Sequence, residues 1–216
     1  MRKITFISLL ILSACSVIDQ NRVAPGYFQA YEAIKNYFIG YENTEITPEL
    51  IKNIPYASAT IQIGNGPLGL MILESKNNFK EVWVTADEVY LEIRDGRIFK
   101  TQGLLNNLVD FRTIKEVLDL ETEEKIYTSY YSYDLPALTN LKTKVRLKKQ
   151  GKKLINLLNQ TLELTLITEE INNNYLGWNV LNKYWLDDDG YIWKSEQHIS
   201  PKLPAFKIEV TKRPSE

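Results

Sequence analysis

From residue 55 onward, apolar and polar side chains alternate with the period of two that a strand with one buried face requires. Residues 57–63, 68–75, 79–85, 89–94 and 97–102 form five such runs, most of them parted by Asn65-Gly66-Pro67, Lys76-Asn77-Asn78 and Asp95-Gly96. Turn residues at this spacing predict an antiparallel sheet. Asp95-Gly96, set between Arg94 and Arg97, predicts a two-residue hairpin, since both central positions then accept positive φ. Asp189-Gly190, between residues 184–186 and 191–194, predicts a second hairpin. Further strand-like runs cover 127–133, 141–149, 154–168, 178–184, 191–198 and 205–212. Residues 154–168 are long enough for a helix, but Thr161 to Thr168 alternate, so at least their second half reads as strand. Phe111, Ile114, Val117 and Leu118 suggest a short helix or loop, and the acidic residues 119–124 a solvated turn. About ten strands without a βαβ rhythm make the domain mainly β, an antiparallel β-barrel-like or curled sandwich fold.

The first fifty residues differ. Tyr27, Phe28, Tyr31, Ile34, Tyr37 and Phe38 recur every three or four positions and Gly40 follows, predicting one N-terminal amphipathic helix over 26–39. Its other face is not rich in Lys or Arg, which favours packing on the domain over lying in a membrane surface. Thr47-Pro48-Glu49 supplies an N-cap, a proline and an early acid for a short helical turn reaching Asn53. At the chain start, Arg2 and Lys3 precede an apolar run over 4–12, too short to span a bilayer, which is the layout of a signal peptide. Leu12-Ser13-Ala14-Cys15 resembles the bacterial lipobox, which implies cleavage before Cys15, a diacylglycerol on its thiol and an N-acyl lipid on its new amino terminus. Several acyl chains hold a membrane stably where one is marginal. The expected organisation is a leader over 1–14, a lipidated tether over 15–25 and a single mainly-β domain over 26–216. Ser16, rather than Asp, follows the cysteine and favours sorting to the outer membrane, facing the periplasm.

Composition removes several function classes. Of 216 residues, 26 are Lys or Arg and 27 Asp or Glu, so the chain lacks the basic excess that neutralises nucleic-acid phosphates. A single Cys forms no internal disulfide, and one Cys with one His cannot complete a tetrahedral zinc site. No cofactor is expected beyond the lipid on Cys15. Loss of Arg2 and Lys3 with the leader leaves a mildly acidic mature chain.

No catalytic constellation stands out. His198 is the sole imidazole and no nucleophile motif accompanies it. Asp87-Glu88 and Asp187-Asp188-Asp189 supply paired carboxylates, but Asp and Gly also gather where chains turn. Asp187-x-Asp189-Gly190 opens like a calcium loop, yet His198 stands where the closing Glu belongs. Lys142, Lys144, Arg146 and Lys148 alternate with Leu141, Val145 and Leu147, giving one strand a cationic face. Such a face fits an anionic glycan or lipid head group, or else a solvated edge strand whose lysines block unwanted pairing, and the edge strand is preferred. Tyr127, Tyr131 and Tyr133 share one strand face, and Tyr191 and Trp193 another; with Trp83, Trp178 and Trp185 they suit core packing more readily than a sugar platform.

Several segments together are similar to the YjbF family of group 4 capsule polysaccharide lipoproteins. They are Ile54-Pro55-Tyr56-Ala57-Ser58, Trp83-Val84-Thr85-Ala86-Asp87, Gly96-Arg97-Ile98, Lys100-Thr101-x-Gly103-Leu104-x-x-Asn107-Leu108, Tyr184-Trp185 and Trp193-Lys194-Ser195-x-Gln197. The resemblance runs from about Tyr27 to the C-terminus and implies a barrel-like lipoprotein encoded with exopolysaccharide or capsule export components. Asp87, Arg97, Thr101 and Asn107 are the polar motif residues with most freedom to be functional, although a buried network fixing the loop after Gly103 accounts for them equally well. The favoured reading is a non-enzymatic accessory of polysaccharide secretion whose partners are the membrane, export proteins or the glycan. A periplasmic glycan-modifying enzyme using a carboxylate such as Asp87, and a structural envelope lipoprotein unrelated to polysaccharide, are the competing readings.

Overall fold

A computed structural model describes residues 46–77, 80–113 and 124–214. The lipobox, the tether, the predicted helix over 26–39 and most of the acidic run over 119–124 lie outside these residues. A helical turn, α1 (Pro48–Asn53), begins where Thr47 Oγ1 accepts the Leu50 N–H at 3.2 Å, and it buries Ile51.

Twelve antiparallel strands follow: β1 (Ser58–Ile63), β2 (Leu68–Asn77), β3 (Lys80–Thr85), β4 (Tyr90–Arg94), β5 (Arg97–Gln102), β6 (Leu108–Thr113), β7 (Glu124–Tyr133), β8 (Leu138–Asn156), β9 (Thr161–Asn173), β10 (Trp178–Leu186), β11 (Ile192–Gln197) and β12 (Phe206–Lys212). Each pairs with its sequence neighbour except at the β5–β6 junction, and β12 pairs with β1, giving the order β5-β4-β3-β2-β1-β12-β11-β10-β9-β8-β7-β6. The sheet is therefore a meander curled into a nearly closed barrel, with one seam between β5 and β6. Across the seam, Thr101 Oγ1 accepts the Leu108 N–H at 2.9 Å in place of a ladder bond.

A round barrel of twelve strands would be too wide for side chains to fill, since about eight give an interior they just occupy. This barrel is flattened so that opposite walls touch. Gln197 on β11 reaches across to β5, where its Oε1 accepts from the Ile98 N–H at 3.0 Å and its Nε2 donates to Gly96 O at 2.8 Å. Gly96 has φ +72°, and a Cβ there would lie 2.6 Å from Ile192 Cβ, so only glycine permits this approach. Asp95 and Gly96 both have positive φ, as the predicted hairpin demands. The core runs through Ile61, Met71, Trp83, Leu91, Phe99, Phe111, Tyr131, Trp178 and Phe206. Its rings meet at 4.7 Å between Phe111 and Tyr131 and 5.3 Å between Tyr131 and Trp178.

Four features of the fold differ from what the sequence pattern predicts. Phe111 belongs to a strand, β6, rather than a helix or loop. The 154–168 run contains a turn, in which Leu157 N donates to Gln160 O at 2.8 Å, so its first residues end β8 and its later ones begin β9. The second Asp-Gly connection is longer than two residues, because Asp187 Oδ1 accepts from both Asp189 N and Tyr191 N. Finally, β8 pairs with β7 on one side and β9 on the other, so its cationic face is not an edge strand. Lys142, Lys144, Arg146 and Lys148 all point outward and are exposed. A bilayer-spanning barrel needs an apolar outer band, so this wall faces water.

Candidate functional site

The meander places its connections alternately at two ends of the barrel. At one end lie the β1–β2, β3–β4, β5–β6, β7–β8, β9–β10 and β11–β12 connections, and several of these bond to one another. Gly64 N donates to Ala205 O at 2.8 Å, Tyr133 Oη donates to Ile199 O at 2.8 Å, and Asn106 Nδ2 donates to Leu135 O at 2.7 Å. The Ser200 hydroxyl bonds Asn106 Oδ1. Asn107 organises the β5–β6 loop: its Oδ1 accepts the Leu104 N–H at 2.9 Å, while its own N–H and Nδ2 donate to Asp134 at 2.7 and 2.8 Å. The bond from the Asn107 amide holds the Asp134 carboxyl below its ordinary pKa. Gly103, at φ +91°, packs against Glu88 O, which a Cβ would approach to 2.7 Å. Thr101 and Asn107 thus belong to a network that closes the barrel. Asp87 lies in the exposed β3–β4 turn at this same end, where it accepts from Thr85 Oγ1 at 2.5 Å.

Arg97 is separate from these three. It points into the lumen and is 2% exposed, and its Nη2 donates to Glu169 Oε1 at 2.5 Å and to Tyr127 Oη at 2.7 Å. Tyr127 Oη donates onward to Glu169 Oε1 at 2.7 Å, and Tyr184 Oη and Asn182 Nδ2 donate to Oε2 at 2.9 and 3.0 Å. The carboxylate receives four donors, which fills its acceptor capacity. Burial works against the Arg97 charge, but Glu169 beside it, with Tyr127 and Tyr184, holds its pKa above the ordinary value. Burial, followed by the Glu169 charge, raises the Tyr127 and Tyr184 hydroxyls, which keeps both as donors. Asn182 Oδ1 accepts from the His198 N–H at 2.7 Å and faces its Nδ1 at 3.2 Å, and burial lowers the His198 pKa. His198 therefore extends a structural network and meets no nucleophile in it. Arg97 Nε and Nη1 are buried without a partner among the described residues, against a 10 Å³ cavity about large enough for one water molecule.

Among the described residues, the opposite end is open. A cleft of about 230 Å³ lies between the β2–β4 wall and the β11–β12 wall, near the β4–β5 and β10–β11 hairpins. Met71, Trp83, Ile93 and Ile208 form an apolar floor. Tyr191 and Trp193, edge to face at 5.3 Å, form a half-buried aromatic wall. Each ring has its polar partner fixed. Trp83 Nε1 donates to Glu81 Oε2 at 3.0 Å, Trp193 Nε1 donates to Asp187 Oδ2 at 2.8 Å, and the Arg213 guanidinium lies 4.3 Å over the Tyr191 ring. Burial raises the Glu81 carboxyl above its ordinary 4.5, outweighing the Trp83 bond and the Lys76 charge that lower it. Lys194 pairs with Glu209 at 2.9 Å, and Lys80 with Glu92 at 3.4 Å. Rings beside ordered carboxylates and ammonium groups suit a polyhydroxylated ligand, which stacks an apolar face and hydrogen-bonds around its rim. The volume falls below the roughly 300–1,000 Å³ of typical small-molecule sites and so suits a chain end or one sugar unit. Among the described residues, no group of three or more His, Cys, Asp or Glu is placed to hold a metal ion.

Sequence reasoning found the rings but not the cleft. Tyr191, Trp193 and Trp83 are noticed as aromatics, whereas Glu81 and Arg213 carry no motif and reach the site only through the curling of the sheet. Asp187, read as turn chemistry, both builds its turn and orients the Trp193 indole.

The fold recurs in the crystal structure of the hypothetical lipoprotein YmcC from Escherichia coli (K12), with a TM-score of 0.67 at 15% identity, covering 86% of this chain and 96% of that one. An uncharacterized lipoprotein, YjbF of Escherichia coli (strain K12), is 23% identical over 213 residues, which is 94% of this chain and 93% of its own. Residues 31–211 match the family model "Group 4 capsule polysaccharide lipoprotein gfcB, YjbF", and the chain belongs to that family.

Proposed function

We propose that this lipoprotein is a non-catalytic accessory of exopolysaccharide or capsule secretion, held by lipid on Cys15 to the outer membrane with its barrel in the periplasm, and that it binds glycan at the open end. The observation that carries this reading is the contrast within one barrel: its polar groups are tied to one another at one end, while at the other two rings packed edge to face lie opposite a half-buried carboxylate across an open cleft. Membership of a capsule polysaccharide lipoprotein family supports the choice of polysaccharide as the ligand. Asp87 lies at the end away from the cleft and accepts a bond from its own turn, which weighs against the glycan-modifying reading that uses it.

Titration of the full-length protein in detergent with polysaccharide from the producing cell, read by tryptophan fluorescence, tests the proposal. Removing an aromatic anchor by Trp193→Ala should weaken binding about tenfold or more, whereas Asp87→Asn should leave it unchanged. No binding of polymer by the wild-type protein, together with unaltered polymer secretion in a deletion strain, would refute it. Cys15→Ala should abolish membrane fractionation or leave the leader uncleaved; a processed variant still found with the outer membrane would exclude the lipid anchor.

A further inference from the structure

The outer wall of β7–β9 carries a second feature that the cleft does not use. Lys142, Lys144, Arg146 and Lys148 project from alternate positions of β8. Successive charges on one strand face stand about 7 Å apart, within the screening length of about 8 Å at physiological salt, so their potentials add. An edge strand needs such charges to block pairing; β8 is hydrogen-bonded on both sides, and that explanation does not apply. The cross-strand neighbours are mostly uncharged. Lys142 faces Tyr130, Lys144 faces Thr128 and Asn172, and Lys148 faces Glu124 and Thr168. Arg146 lies between Ile126 and Glu170 and pairs with Glu124 at 3.3 Å. Among the described residues, two acids thus face four cations, both of them toward the Arg146–Lys148 half.

Beside the other half the wall is concave. An open groove of about 490 Å³ follows Lys142 and Lys144 and is lined by Thr128, Asn172 and Asn174. Asn173 Nδ2 fixes its base by donating to Lys142 O at 2.8 Å. Amide and hydroxyl groups in a groove meet the hydroxyls of a single polymer chain, whereas a flat bilayer reaches only the convex ridge. We propose that this face is a docking surface for an anionic polysaccharide, with carboxylate or phosphate groups along the β8 cations and sugar hydroxyls in the groove. The inference extends the glycan-binding reading but rests on different residues.

The test measures binding of polygalacturonate to the full-length protein in detergent micelles, with dextran as the neutral polymer and phosphatidylglycerol vesicles as the membrane arm. Polygalacturonate should bind at low salt, dextran should not bind this face, and affinity should fall steeply with added salt. The triple variant K142Q/K144Q/K148Q should lose about tenfold or more in affinity, while K100Q/K202Q/K207Q, of equal charge and away from β8, should lose little. Trp193→Ala should leave polygalacturonate binding intact, so failure of the cleft and failure of this face are separable. Equal loss in both triple variants, undiminished binding in the first, or loss confined to phosphatidylglycerol vesicles would overturn the proposal.

Discussion

The two ends of the barrel are built from the same kind of connection and differ in what their polar groups bond to. At the sealed end, Asn107, Asp134, Asn106 and Ser200 bond to backbone or to one another across loops. At the open end, Glu81 and Asp187 each orient an indole beside a cleft, and the cations at its rim retain solvent contact. A side chain whose hydrogen-bonding capacity is spent inside the fold stabilises that fold; one held in place but half-exposed has capacity left for a ligand. The difference separates the polar residues Thr101 and Asn107, spent in closing the barrel, from the cleft residues proposed to bind.

The buried Arg97–Glu169 pair lies between the two ends, and its removal should have the largest effect. Arg97→Met leaves the Glu169 carboxylate buried with one charge uncompensated, at a cost of about 3–5 kcal/mol. Urea denaturation followed by tryptophan fluorescence should show that loss in one transition, since the lumen joins both walls. A smaller loss in Glu169→Gln/Arg97→Met than in Arg97→Met alone would confirm the coupling. At the sealed end, Asn107→Ala leaves the Leu104 N–H and Asp134 without partners and should cost about 1–3 kcal/mol while sparing glycan binding. Tyr191→Ala reverses that pattern: loss of one ring contact should cost about 0.5–1.5 kcal/mol beyond its lost area, with a clear loss of binding. The finest effect is a dependence on pH. Folded Glu81 keeps its proton to higher pH than the unfolded chain does, so the folded state binds more protons above the ordinary value of 4.5 and stability falls as pH rises through that window. Glu81→Gln, which still accepts the Trp83 indole, should flatten that fall in denaturation curves recorded across the window.

Much of the fold was legible in the sequence because alternation is local. Residues 97–102 alternate between two turn signals and form a strand with those bounds, and Thr47-Pro48 starts a helical turn. β6 was obscured because only Leu108 and Phe111 of its six residues are buried, too few to show a period. The β8–β9 turn was hidden by Leu157 and Leu158, apolar residues where a turn usually has polar ones. The site was less legible for a different reason. Arg97 meets Glu169 across 72 residues, and the cleft joins Glu81 to Tyr191 and Arg213, pairings set by the curl of the sheet rather than by neighbouring residues. The motif around Asn107 was visible as polar residues that could close a loop, and it does so.

Hydrogen–deuterium exchange of the full-length protein with and without the secreted polysaccharide tests the central claim most directly. Binding at the open end predicts slower exchange in the peptides carrying Glu81 to Trp83 and Tyr191 to Trp193, with the loops around Asn107 and Ser200 unchanged. Protection confined to those sealed-end loops, or no change anywhere at saturating polymer, would contradict it.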